Sequence, residues 1–353
     1  MTRSLLFIFL MIACLRAKAQ TYSITGTISY DKGVIPGATV FLTNTKKTTS
    51  TDASGRFMLN GLQPGSYEVV VNMIGFIADK QSIKLEEKSL DIAFKLKESN
   101  TMLRTVTIKG KAIKQDPQDL RIFTSSFLGF SGNASQCKIL NPEVLSFKKN
   151  NKTEMLEARA DDFLEIQNDA LGYKLKYLLT KFQYQFTSAI CYFEGDPYFE
   201  EMKGTDEQQK QWEKNRIVAY LGSCRHYFKA VMAGNSRAQG FYTYEYRQKL
   251  STKESPLRRL IDIDSEMVAV NKNFKVMLAR QVVLKKDTIR STLHIYYLNH
   301  ISQIKQFVDT ITVDKRGVIT PGNGFYFNGY WASQRIADLT PLDYFVDPLE
   351  QKK

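Results

Sequence analysis

Carboxylates set close to aromatic residues are the first groups in this chain that could do chemistry. Glu165, Glu194, Asp196, Glu200 and Glu201 all lie in aromatic-rich sequence. A pair of carboxylates can cleave a glycan, one acting as acid and the other as base or nucleophile. Strand side chains alternate between faces, so Asp262 and Asp264 would share a face and could hold a metal ion. His294 and His300 would also share a face if their strand ran unbroken. Phe325, Tyr326 and Phe327, with Tyr330 and Trp331, could stack on a sugar or a partner chain. Each group also has a plainer use: solvated surface for the carboxylates, ordinary strand residues for the Asp and His pairs, core packing for the aromatics. The sequence holds no Gly-x-Ser-x-Gly, no phosphate loop and no dinucleotide fingerprint. No catalytic, cofactor-binding or metal-binding residue is assigned, and no cofactor is expected.

The elements that must position these groups begin after a leader. Thr2 and Arg3 precede an apolar run from Leu5 to Cys14, and Ala17-Lys18-Ala19 fits the small-x-small rule. Residues 1–19 are therefore expected to be a signal peptide, with the mature chain starting at Gln20. Lipidation at Cys14, after Met11-Ile12-Ala13, is the alternative. No later stretch is long and apolar enough for a transmembrane helix, while a small β-barrel stays open. At roughly 150 residues per domain, the 353 residues should make about two domains. Without the leader the formal charge falls from +13 to +10. Residues 20–98 carry +1 of it and residues 99–353 carry +9. A solvated, mildly basic surface accounts for this. The other reading is contact with an anionic glycan, a lipid headgroup or an acidic partner. No nucleic-acid-binding motif is present. Cys137, Cys191 and Cys224 remain in the mature chain, an odd number without a CxxC. That speaks against zinc and thioredoxin chemistry. Buried free thiols are expected, with one internal disulfide as the alternative.

Residues 20–98 read as six short strands separated by turn residues. The strands are Tyr22–Ser29, Ala38–Leu42, Arg56–Leu59, Ser66–Met73, Ser82–Leu85 and Leu90–Leu96. Asp52 and Gly55 suit the turn between the second and third. This is the pattern of a β-sandwich. The residues Gly26-Thr27-Ile28, Ile35-Pro36-Gly37-Ala38-Thr39-Val40, Thr51-Asp52, Gly55, Phe57, Pro64-Gly65, Tyr67 and Ile74-Gly75-Phe76 carry a resemblance. Their order and spacing resemble the carboxypeptidase regulatory-like domain, a transthyretin-like sandwich. The resemblance implies no catalytic residue in the domain. A zinc carboxypeptidase would need His-x-x-Glu, and His226, His294 and His300 all lack the Glu. The same domain is similar to the N-terminal extension of outer-membrane TonB-dependent receptors. Leu103 to Gly110 is similar to the strand that follows it there. The 243 residues after Gly110 cannot hold both a plug and a large barrel. The resemblance thus implies a bacterial envelope and not a transporter.

Residues 99–121 read as a polar linker containing Pro117. Residues 122–353 read as an α+β, strand-rich domain of unassigned family. A strand is expected in the second half of Ala160–Asn168, and a strand pair or one long strand over Tyr173–Phe186. One long amphipathic helix is expected over Asp206–Ala233. Thr205 and Gln208 form a capping box at its start, and Gly234 stops it. Ile217, Leu221, Cys224, Phe228 and Val231 make one apolar stripe, and Lys210, Lys214, Arg216, Arg225 and Lys229 take the other faces. Further strands are expected at Met267–Val270, Val276–Leu284, Ser291–Leu298 and Phe307–Val313. Asp314 to Gly317 reads as a hairpin turn and Pro321–Gly329 as a loop. Asp287-Thr288-Ile289 and Asp309-Thr310-Ile311 resemble an O-glycosylation signal of some envelope bacteria.

The expected architecture is multi-domain: an all-β transthyretin-like sandwich followed by the α+β domain. The expected function is an exported envelope binding or assembly protein without catalysis. Its place would be the periplasm or the outer-membrane surface of a Gram-negative bacterium. Its partner would be an outer-membrane protein complex or a surface glycan. An envelope hydrolase with a carboxylate site in the second domain is the alternative.

Overall fold

The computed structural model describes residues 21–99, 116–150, 152–249, 253–278, 282–284, 287–322, 324–344 and 346. The leader, most of the linker, the Leu103–Gly110 segment and the side chains of Asp287, Thr288 and Ile289 lie outside the described residues.

The first body is a two-sheet sandwich. Its strands are β1 (Tyr22–Tyr30), β2 (Gly33–Val34), β3 (Thr39–Leu42), β4 (Thr48–Ser50), β5 (Arg56–Leu62), β6 (Gly65–Asn72), β7 (Asp79–Leu85) and β8 (Leu90–Lys95). In one sheet β1 runs antiparallel to β5 and parallel to β8, and β2 folds back on the end of β1. The other sheet has the order β4-β3-β6-β7. Every second residue of β1 is buried, as expected for a half-buried strand. Ile24, Ile28, Phe57 and Phe94 meet Val40, Leu42, Val69 and Val71 in one core. Asp52 closes its turn by accepting from the amides of Ser54 (2.8 Å) and Arg56 (2.9 Å).

The second sheet of the sandwich is covered on its outer side as well. Phe41 and Val70 point away from the sandwich core, yet both are buried against Tyr198, with Phe163 and Leu178 alongside. The backbone joins there too. The Asn44 amide donates to Pro197 O (2.6 Å), and the Phe199 amide donates to Thr45 O (2.9 Å). The sandwich is docked on the rest of the chain.

The region after the linker holds two further cores. The first lies on a sheet of β9 (Cys137–Ile139), β10 (Leu145–Asn150), β11 (Met155–Ala160), β12 (Leu164–Asn168), β13 (Tyr173–Gln185) and β14 (Ile190–Glu201). β13 is one continuous strand. It pairs with β14 along one edge and with β12 and then β11 along the other. Helix α1 (Pro117–Leu128) crosses this sheet. Its Phe123 and Phe127 stack on each other and pack on Phe182 and Tyr177. Pro117–Arg121 is thus the start of a helix and not linker. Asp116 caps it and Pro117 fills its first position, where no amide partner is needed.

Helices α2 (Asp206–Tyr220) and α3 (Cys224–Ala233) correct the expected single helix. The Thr205–Gln208 capping box and the left-handed Gly234 are present as read. The chain turns between them at Gly222, whose φ is 76°. Ser223 recaps by accepting from the His226 amide at 3.2 Å. The apolar stripe is not one buried face: Ile217 and Leu221 are half-buried, and α2 instead buries Trp212, Arg216, Ala219 and Tyr220, whereas Phe228 and Val231 of α3 enter the third core. Arg216 and Arg225 also depart from the solvent faces expected for them. Arg216 is buried and donates to Leu171 O at 2.7 Å. Arg225 donates to Pro341 O at 2.6 Å.

α3 packs on the third body. Its strands are β15 (Phe241–Lys249), β16 (Leu257–Ile261), β17 (Val268–Asn271), β18 (Phe274–Leu278), β19 (Val282–Leu284), β20 (Asp287–Tyr297), β21 (His300–Gln306), β22 (Thr310–Asp314), β23 (Ile319–Thr320) and β24 (Phe325–Gly329). One sheet has the order β16-β15-β20-β21-β24, with β19 also on β20; the other is β17-β18-β22-β23. Tyr227, Phe228, Phe241, Ile295, Ile311, Val313 and Trp331 share its core. The expected 314–317 turn joins β22 to β23. Residues 325–329, expected within a loop, form β24 because Phe325 and Phe327 alternate inward onto this core. The tail then returns to the second body, where Ile336 and Ala337 enter its core. No helix among the described residues is long and apolar enough to cross a membrane.

Candidate functional site

The three bodies meet around a cleft of about 990 Å³. Its floor is the outer face of the second sandwich sheet. Register places Ser66 beside Lys84, Glu68 beside Ser82 and Val70 beside Lys80 on that face. β14 forms one wall with Tyr192, Glu194 and Asp196. The other wall is the bend at Phe307, the stretch from Thr320 to Gly322, and Phe325 and Tyr326 of β24.

Lys80 links two of the bodies. Its ammonium lies 3.1 Å from Asp196 and 3.3 Å from Glu68. Burial opposes that charge, but Asp196 and Glu68 outweigh it and hold the Lys80 amine above its usual range. Asp196 is itself buried. Gly195 lets β14 come close to β13 here: a Cβ on it would lie 2.3 Å from the Tyr177 ring and 2.4 Å from Leu178 O.

The aromatic wall divides by face. Trp331 is buried, and its Nε1 donates to Gly222 O at 2.7 Å. Phe327 packs in the same core, and Tyr330 stacks on His300 at 3.9 Å. Tyr326 points the other way. It stacks on Phe307 with ring centres 5.3 Å apart and planes 29° apart. Both rings reach solvent, at 38% and 60% exposure.

The structure brings Glu194 and Asp196 to the cleft and leaves the other weighed carboxylates elsewhere. Glu194 accepts from the Tyr192 hydroxyl. Glu165 pairs with Lys176 across β12 and β13, Glu200 stands opposite Lys174, and Glu201 pairs with Lys46 at 2.9 Å. Asp262 and Asp264 are not on a strand. Asp262 precedes a one-turn helix, Ile263–Glu266, and Asp264 accepts from the Ser236 amide at 3.0 Å. The strand carrying His294 is broken as well. It turns back at Leu298, so His294 on β20 stacks on Tyr246 while His300 stands opposite Tyr297. Among the described residues no three His, Cys, Asp or Glu side chains are placed to hold a metal ion. Cys137, Cys191 and Cys224 are free thiols, and burial pushes Cys137 up to about 12. Thr310 of the second glycosylation-like triplet is exposed, and Ile311 is buried.

Nothing in the sequence around Glu68, Lys80, Tyr192 or Phe307 marks them as site residues. Each is an ordinary strand or bend residue until the bodies dock.

Residues 24–108 match the family model of the CarboxypepD_reg-like domain. The first body is therefore a carboxypeptidase regulatory-like domain, and the match spans about a quarter of the chain. No curated protein matches the chain in sequence. Among solved structures, a type II cohesin–X-dockerin complex from Acetivibrio cellulolyticus is similar at 17% identity and a TM-score of 0.21. That alignment covers 22% of this chain and 58% of the other, so this chain spans less than two thirds of that structure's length. The major pilin subunit of Bacillus cereus is similar at 9% identity and a TM-score of 0.20, over 87% of this chain and 67% of the pilin. A putative carbohydrate binding protein from Bacteroides uniformis is similar at 11% identity and a TM-score of 0.19, over 68% and 95%. Likenesses at these scores do not bear on function.

Proposed function

We propose that this is an exported envelope protein of binding or assembly type, and that its ligand or partner seats in the cleft between the three bodies. The carrying observation is the Lys80–Asp196 pair. Two separately cored bodies build one polar centre at 3.1 Å, and exposed aromatic rings line the same cleft. Ligand sites commonly occur at domain interfaces, as mostly apolar clefts with a few placed polar groups. The leader supports export, and the first-domain resemblance supports a bacterial envelope, in the periplasm or at the outer-membrane surface. The partner would be an outer-membrane protein complex or a surface glycan. The hydrolase alternative needs two carboxylates that divide acid and base duties. In the cleft Glu68 and Asp196 both face Lys80 and Glu194 accepts from the Tyr192 hydroxyl, so each carboxylate already has a partner, which supports binding.

A photo-crosslinking residue at position 326, with another at Met58 on the far sandwich face, tests this in producing cells. The expected result is an adduct from position 326 alone. Equal labelling from both positions, or none, would overturn the cleft as the site. Cell fractionation with N-terminal sequencing tests export: the expected chain begins at Gln20 and lies outside the cytoplasm. An intact leader on cytoplasmic protein would end that part of the reading.

A further inference from the structure

The charge and lining of the cleft define a ligand class. Its ionisable lining residues are Lys80 and Lys84 against Glu68, Glu194 and Asp196, a formal balance of −1. Lys181 and Lys305 stand at its rim, 5.0 Å from the Tyr192 ring and 5.7 Å from the Tyr326 ring, so the signs are interspersed and nearly balanced, and no strong field of one sign selects a charged ligand. Hydroxyls and one amide make up much of the remaining polar lining, among them Ser66, Ser82, Thr180, Thr312 and Asn44. The exposed Phe307–Tyr326 pair offers ring faces, to which polarised C–H groups are attracted. The same cleft is lined by carboxylates that can accept strong charge-assisted bonds from hydroxyls. A volume near 990 Å³ is at the upper end of the roughly 300–1,000 Å³ range of small-molecule sites.

A molecule with flat C–H faces, many hydroxyls and no net charge satisfies all of these. We infer that the cleft binds a neutral oligosaccharide, with one sugar ring on the Phe307–Tyr326 platform and hydroxyls directed at Glu68 and Asp196. This rests on the cleft being the ligand site. Lys80 positions the two carboxylates and can donate to a ring or hydroxyl oxygen.

The test uses the mature full-length chain on an array of neutral and acidic oligosaccharides, beside a displayed random-peptide library. Tyr326→Ala and Phe307→Ala remove exposed rings and should keep the wild-type melting temperature; Glu68→Gln removes one acceptor. The expected result is binding to neutral sugars, weakened at least tenfold by each ring variant and severalfold by Glu68→Gln. Acidic sugars bound equally well by wild type and ring variants would overturn both the ligand class and the site. Peptides whose binding is lost in Tyr326→Ala would overturn the sugar assignment and leave the cleft as the binding site. No binding by either collection would overturn the inference and the binding reading together.

Discussion

The guanidinium of Arg316 lies 3.9 Å from the centre of the Tyr67 ring, so a side chain of the third body is seated on the sandwich. Arg316 also bonds Asp314 at 2.7 Å and donates to Ser66 O, while the Ser66 amide donates to Asp314 at 2.9 Å. The pair presents an acceptor and a donor to one backbone unit, much as a neighbouring strand would. Gly65 is needed beside it, since a Cβ there would lie 2.5 Å from the Arg316 guanidinium.

Arg316→Ala should leave the fully buried Asp314 without its ion-pair partner, held by backbone amides alone. The expected loss is about 3–5 kcal/mol in chemical denaturation. Arg316→Lys should recover little of it, because an ammonium lacks the planar fork that serves Asp314 and Ser66 together. Near-wild-type stability of either variant would show that the contact contributes little.

Tyr198→Ala should loosen the sandwich without unfolding it. The ring packs on Phe41 at 5.0 Å and on Phe163 at 5.7 Å. Removing it should cost about 3 kcal/mol at the docking surface. Hydrogen exchange should speed up at the amides of Asn44 and Phe199, which bond across the surface, and stay slow within β1. Equal acceleration in β1 would mean that the bodies unfold as one unit.

Gly222→Ala should cost about 2 kcal/mol or more. A left-handed φ is unfavourable by about 1–2 kcal/mol for an L residue, and the new Cβ would meet the Tyr297 ring at 2.6 Å. Trp331 reports on the site directly, because its Nε1 bonds Gly222 O. Its emission should shift to the red. An unchanged spectrum and stability would show that the turn between α2 and α3 accepts a side chain.

His226 should make the protein acid-sensitive. Burial lowers its pKa from 6.5 to about 4. Its Nδ1 accepts from the Gly222 amide at 3.0 Å, which requires the unprotonated nitrogen. Between those two values the unfolded chain binds the proton and the folded chain does not. Stability should therefore hold above pH 6.5 and fall as pH drops toward 4, by roughly 3 kcal/mol in all. Chemical denaturation across this range should show the slope, and His226→Gln should flatten it. The same slope in the variant would assign it to other groups.

Local chemistry was legible in the amino-acid sequence wherever neighbours in the chain are neighbours in space. Alternation placed Ile24 and Ile28 in the sandwich core, Asp52 and Gly55 made their turn, and Thr205 with Gln208 capped a helix. Such features depend on residues a few positions apart, and their period or spacing is written in the chain. Contacts between bodies have no such record. Lys80 and Asp196 are 116 residues apart, and neither is marked by its neighbours as half of a pair. Phe41 and Val70 sit on a face that strand alternation assigns to solvent, and only Tyr198 from another body buries them. The stripe from Ile217 to Val231 reads as one helix, yet Ile217 and Leu221 are only half-buried while Phe228 and Val231 enter the third core, a difference to which periodicity is blind. Local spacing along the chain was enough for most strands of the sandwich, for the Asp52 turn and for the caps at Thr205 and Gly234, but not for β24 or the start of α1. Docking decided the break at Gly222, the inward Arg216 and the cleft, because desolvation and ion pairing act through space between groups that the chain keeps far apart.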